Sequence, residues 1–143
     1  MKTCVKTVYQ PDLTSKNKQS LFEAGVSAGF PSPAADYEES KLDLNSYLVE
    51  NPAATFFVRA VGDSMEGAGI HNSDLLIVDR SLEPRDGNIV IAVINGELTV
   101  KRIRIHKRHI MLEPENSDYP SQQISGDTEF EVWGVVTNVI HEL

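Results

Sequence analysis

Gly62-Asp63-Ser64-Met65 is followed 37 residues after the serine by Lys101, inside an apolar stretch. These residue types could carry out one kind of chemistry. A serine hydroxyl becomes a nucleophile once a base takes its proton. A lysine amine kept neutral by burial is such a base, so Ser64 and Lys101 could form a Ser–Lys dyad that opens an acyl bond. Gly62 permits the backbone angles of a tight turn. The N–H groups of Asp63 and Ser64 in that turn could converge on an oxyanion. Gly-Asp-Ser is also ordinary turn composition, so the serine alone is a weak signal.

The elements around these residues read as β. Thr55–Val61 is rich in branched and aromatic residues and delivers the chain to Gly62. Leu75–Asp79, Asn88–Ile94, Glu97–Ile105, His109–Leu112 and Glu129–Val136 read as further short strands. Asn95-Gly96 supplies a two-residue hairpin turn between two of them. Asp43 can cap a short helix through Leu44, Tyr47 and Leu48, stopped by Asn51-Pro52. Many short strands with few helices predict a mostly β domain of sheets or a partial barrel.

Strand parity puts Thr99, Lys101, Ile103 and Ile105 on one face. Lys101 therefore shares its face with isoleucines, and desolvation would lower its pKa, unless the amine snorkels past them to water. Arg102 and Arg104 fall on the other face and read as solvated. The cluster Lys101-Arg102-Arg104-Lys107-Arg108 is more often a hairpin face than a nucleic-acid site in so acidic a domain. His106 and His109 stand in a basic turn, and His71 and His141 read as isolated. The four predict no metal cluster and no Ser-His-Asp triad, and no cofactor is expected. Asp63, Asp74, Asp79 and Asp86 read as turn carboxylates.

Residues 1–40 lack sustained periodicity and read as a flexible N-terminal arm, with a turn of helix near Ser20–Ala24. Within it, Val26-Ser27-Ala28-Gly29-Phe30 is small-sided and uncharged, suited to lying extended in a narrow groove. The 143 residues fit one domain plus an appendage. The net charge of −8 divides unevenly, +2 over residues 1–28 and −10 over residues 29–143. So acidic a body is a poor grip for DNA. The lone Cys4, the lack of a leader pattern and the lack of a long apolar run predict a cytoplasmic chain with no membrane span.

At this point the residues resemble a known family. Phe30–Tyr37, Gly62–Met65, Gly69-Ile70, Asp74–Asp79 and Leu98-Thr99-Val100-Lys101, in this order, are similar to the LexA/UmuD family of self-cleaving serine peptidases. The resemblance runs from about residue 28 to 139. It implies a curved, partly barrel-like β peptidase domain over residues 41–143, which also dimerises, behind an arm of residues 1–40 that contains the cleavage site. It further implies Ser64 as nucleophile, Lys101 as general base and Ala28-Gly29 as the scissile bond. A RecA filament on single-stranded DNA would promote the cut. The shortened product would form a homodimer and serve a UmuC-type polymerase in translesion synthesis during the SOS response. Only 28 residues precede Gly29, too few for the helix-turn-helix domain of the repressor branch, so direct sequence-specific DNA binding is not expected.

Three other readings compete with this one. In the first, the chain is a non-enzymatic β interaction module in which Ser64 and Lys101 are structural. In the second, it is a repressor fragment without its DNA-binding domain. In the third, it is a signal-peptidase-like enzyme, which would need the membrane anchor this sequence lacks. Loss of residues 1–28 that depends on Ser64 and Lys101 separates the leading reading from the rest.

Overall fold

The computed structural model describes residues 2–14, 18–22 and 38–143, with side chains described for 2–14 and 42–143. Among the described residues ten strands follow one another: β1 (Cys4–Tyr9), β2 (Lys18–Phe22), β3 (Glu38–Asp43), β4 (Thr55–Val61), β5 (Leu75–Asp79), β6 (Ile89–Ile94), β7 (Glu97–His106), β8 (His109–Glu113), β9 (Gln122–Ile124) and β10 (Phe130–Ile140). The helix α1 (Leu44–Leu48) is capped by Asp43, whose side chain accepts from the Asn45 N–H at 3.0 Å. The predicted cap and the predicted strands from Thr55 onward are therefore present. Asn95 and Gly96 carry φ of 48° and 83°, the mirror-image angles that the two-residue hairpin requires.

Two units divide the chain, residues 12–50 and residues 1–11 with 51–143. In the smaller unit β2 and β3 form an antiparallel pair from Lys18↔Asp43 to Phe22↔Glu38. This corrects the helical turn expected near Ser20–Ala24 as far as Phe22. One turn of helix fixes several residues for a single hydrogen bond, whereas pairing with β3 satisfies the backbone along the whole segment.

In the larger unit the strands run in the order β1-β4-β5-β10-β6-β7-β8-β9, and β1 pairs also with β7. That second pairing closes six strands into a barrel, with β8 and β9 extending beyond it. The expected mostly β, barrel-like domain is borne out. Its closing strand lies in the first eleven residues, within the stretch read as arm.

Two apolar clusters lie on opposite faces of this sheet. Val58, Ala60, Met65, Ile70, Leu76, Val78, Ile91 and Val100 form one. Val90, Ala92, Ile103, Leu112 and Val135 form the other, under β8. The alternation Val90/Ile91/Ala92 along β6 serves both clusters. Both faces of β7 are therefore buried near Val100 to Ile103, which removes Lys101 from water as its parity with Ile103 predicts.

Candidate active site

β4 ends at Val61, and Gly62 turns the chain with φ of 108°, an angle that a side chain resists. The Gly62 N–H is held by the Asn72 side chain at 2.9 Å. This turn carries Ser64 to a fully buried position. The Ser64 carbonyl accepts the Glu115 N–H at 2.8 Å, and the Gly67 N–H donates to the Glu115 carbonyl at 2.8 Å. The serine turn is thus pinned to the chain beyond β8 by two reciprocal main-chain bonds. Arg102 secures the same segment from β7, pairing its Nε with the Glu115 carboxylate and donating from Nη1 to the Gly87 carbonyl at 2.6 Å. The solvated Arg102 of the sequence reading is corrected. Its partner lies 13 residues away, beyond the reach of parity.

Gly67 is required here by space. A Cβ on it would stand 2.6 Å from the Glu115 carbonyl oxygen, a backbone atom that cannot rotate aside. Gly67→Ala is expected to cost about 1–3 kcal/mol and to displace the Ser64 turn. Gly126→Ala, where a Cβ meets nothing within 4 Å, serves as the neutral control. Urea unfolding of the two variants checks this.

Lys101 is 5% exposed on β7. Burial lowers its pKa from the ordinary lysine value, and the charge of nearby Lys2 lowers it further. The desolvated lysine is therefore present, and snorkelling to open water is not its fate. A cavity of about 290 Å³ opens beside it, lined in part by Lys2, Ile94, Thr99, Lys101, Tyr119 and Gln122. Tyr119 donates to Asp63 Oδ1 at 2.6 Å, and this bond holds the phenol proton, raising its pKa to about 12. Asn116 donates to the Asp63 carbonyl at 3.0 Å. Asp63 is tied into the turn by both.

Thr3 joins the serine turn to the lysine strand. Its N–H donates to Ser64 Oγ at 2.7 Å. Its carbonyl accepts from the Val100 N–H at 3.2 Å and from Thr99 Oγ1 at 3.1 Å, the two residues before Lys101. One peptide backbone is therefore gripped by both candidate segments at once. Sequence reading missed Thr3 altogether. The branched and aromatic run Cys4-Val5-Lys6-Thr7-Val8-Tyr9 was the available sign that a strand lay there. Ala28 and Gly29 lie outside the described residues.

Two histidines read as isolated are not. His71 and His141 have ring centroids 4.8 Å apart, and His141 Nδ1 lies 2.5 Å from Asp74 Oδ1. Asp74 and Asp79 are buried turn carboxylates, with Asp74 accepting the His71 N–H and Asp79 the Ser81 N–H. No helix among the described residues is long and apolar enough to cross a membrane.

A closed β-barrel that buries a serine turn and a desolvated lysine, its serine and the two residues before its lysine bonded to one residue, Thr3, fits one class of protein, and the comparisons agree with it. The Peptidase S24-like family model matches residues 20–137, so the chain belongs to the S24 peptidase family of self-cleaving serine peptidases. It stands there among the UmuD-like SOS mutagenesis proteins. Protein SamA of Salmonella typhimurium is 52% identical over 122 residues, covering 85% of this chain and 84% of that protein. Protein ImpA of Salmonella typhimurium is 54% identical over 121 residues, covering 85% and 82%. The LexA repressor of Bordetella petrii is 36% identical over 115 residues, covering 80% of this chain and 51% of the repressor. The expected LexA/UmuD-type family is borne out.

Proposed function

We propose that Ser64 and Lys101 form a dyad that cuts the chain's own arm once, between Ala28 and Gly29. The observation that carries this reading is the shared grip on Thr3. Ser64 Oγ holds a main-chain N–H, and the β7 residues beside Lys101 hold the carbonyl of the same residue. The site therefore suits an extended peptide, the form that the small-sided segment Val26–Phe30 can adopt.

In the proposed step the neutral Lys101 amine takes the Ser64 hydroxyl proton as Oγ bonds to the Ala28 carbonyl carbon. The N–H groups of Asp63 and Ser64 receive the oxyanion. The Ala28–Gly29 C–N bond then breaks, and the Lys101 ammonium returns its proton to the Gly29 amine. Water attacks the Ala28 ester, giving a carboxylate and restoring the serine. Nothing in these steps calls for a metal or cofactor.

The relatedness to SamA, ImpA and LexA supports the SOS setting of this reading. In that setting a RecA filament on single-stranded DNA stimulates the cut. Residues 29–143 then form a homodimer that serves a UmuC-type translesion polymerase from the cytoplasm. Incubation of the purified chain with RecA, ATP and single-stranded DNA is expected to reduce its intact mass by that of residues 1–28. A chain that keeps its full mass under these conditions overturns the reading.

A further inference from the structure

β1 lies where a substrate strand would have to lie. It is antiparallel to β4, from Cys4↔Val61 to Tyr9↔Phe57, and it touches β7 at Cys4↔Thr99. Just ahead of it, Thr3 is fully buried, and its backbone nitrogen stands 2.7 Å from Ser64 Oγ. Attack on a peptide requires a carbonyl carbon about 3–3.5 Å from that oxygen. Two backbones cannot share this volume.

We propose that β1 is a resident plug. It fills the slot between β4 and β7 that the Ala28–Gly29 segment must enter, so self-cleavage requires one segment of the chain to be exchanged for another. This rests on the Proposed function for the identity of the incoming strand, and on the Thr3 contacts for the plug itself.

The plug is built to leave. Its pairing with β4 slips between Val5 and Thr7. From Lys6 to Tyr9 its side chains are exposed, Val8 by 41% and Tyr9 by 46%. Thr3 Oγ1 is buried without a hydrogen-bond partner among the described residues, a cost that penalises the seated state. A segment with few buried apolar contacts opens at low free energy. An incoming strand would cover Lys101 again, so exchange preserves the dry site that simple opening would flood. Once residues 1–28 are severed, β1 is no longer part of the body, and the barrel loses the strand that closes it.

Cys4 is the chain's only cysteine and lies directly opposite Val61. Facing residues of an antiparallel pair are about 4.5–5.5 Å apart at Cα, within the range a disulfide spans. Val61→Cys therefore offers a reversible staple between plug and barrel. The full-length variant would be assayed oxidised and reduced, with two readouts. One is loss of residues 1–28 under RecA, ATP and single-stranded DNA. The other is modification of Ser64 by a small fluorophosphonate, in which Oγ bonds to phosphorus, fluoride leaves and the hydroxyl proton passes to the base.

Both rates are expected to fall at least about a hundredfold on oxidation, because the competent open state is withdrawn, and to return with reductant. Thr3→Pro, which removes the N–H donor, is expected to cut about fivefold faster than the parent without RecA. Equal labelling of oxidised and reduced Val61→Cys overturns the plug, as does a Thr3→Pro rate no greater than that of a parent that cuts. Labelling that the staple gates, with no loss of residues 1–28 in any chain, upholds the plug and overturns Ala28–Gly29 as the target.

Discussion

Ser64→Ala will keep its full mass under RecA, ATP and single-stranded DNA, while the parent loses residues 1–28. Alanine has no oxygen to bond to the Ala28 carbonyl, so no acyl intermediate forms. Lys101→Ala will behave alike, because a hydroxyl without its base is a poor nucleophile near neutrality. Members of such a unit act together, and removing either is expected to slow cutting by about 10⁴-fold or more. The comparison requires both variants to remain folded. In Ser64→Ala the buried Thr3 N–H loses its acceptor, which costs about 1–3 kcal/mol and loosens β1 without opening the barrel core. Intact mass and circular dichroism on the same samples separate lost chemistry from lost fold. Loss of residues 1–28 by Ser64→Ala alone would sink the dyad.

The barrel body was largely legible because its signals are local. Branched and aromatic runs gave β4 to β8 and β10, and Asn95-Gly96 gave the β6–β7 hairpin. Ser64 and Lys101 were legible for the same reason, one from the turn chemistry at Gly62, the other from parity with Ile103. What escaped reading depends on distant partners. Five of the six residues of β1 have ladder partners, Phe57 to Val61 and Thr99, and these lie more than forty positions away. Nothing in a short amphipathic run states that it closes a barrel. Arg102 read as solvated because its partner Glu115 sits beyond another strand, and His71 met His141 only through the Asp74 turn. β9, three residues long, has too little pattern to detect. The sequence thus spoke for the groups proposed to react and for the strands that carry them. It was silent on the contacts that hold them still or cover them.

Self-cleavage without RecA is expected to climb with pH and then level off below 10.5, the ordinary pKa of lysine. The slope follows from the role given to Lys101. Below its own pKa the amine is mostly protonated, and each unit of pH raises the neutral fraction about tenfold, so the rate rises about tenfold per unit. The plateau lies below 10.5 because burial, and then the charge of Lys2, lower the pKa of Lys101. Lys2→Ala removes the second cause and should move the plateau to higher pH.

Stability must shift in the same window, measured in Ser64→Ala so that cutting does not intrude. Between the folded and unfolded pKa values the unfolded chain holds the extra proton. Its folded counterpart has released it, so stability rises with pH there. Below the folded pKa the full cost of burying the ammonium persists, and above 10.5 it is gone. Replacement of Lys101 by Met should abolish this titration and the cutting together. A rate that stays flat from pH 7 to 10 in the parent would remove Lys101 from the role of base, whatever its burial.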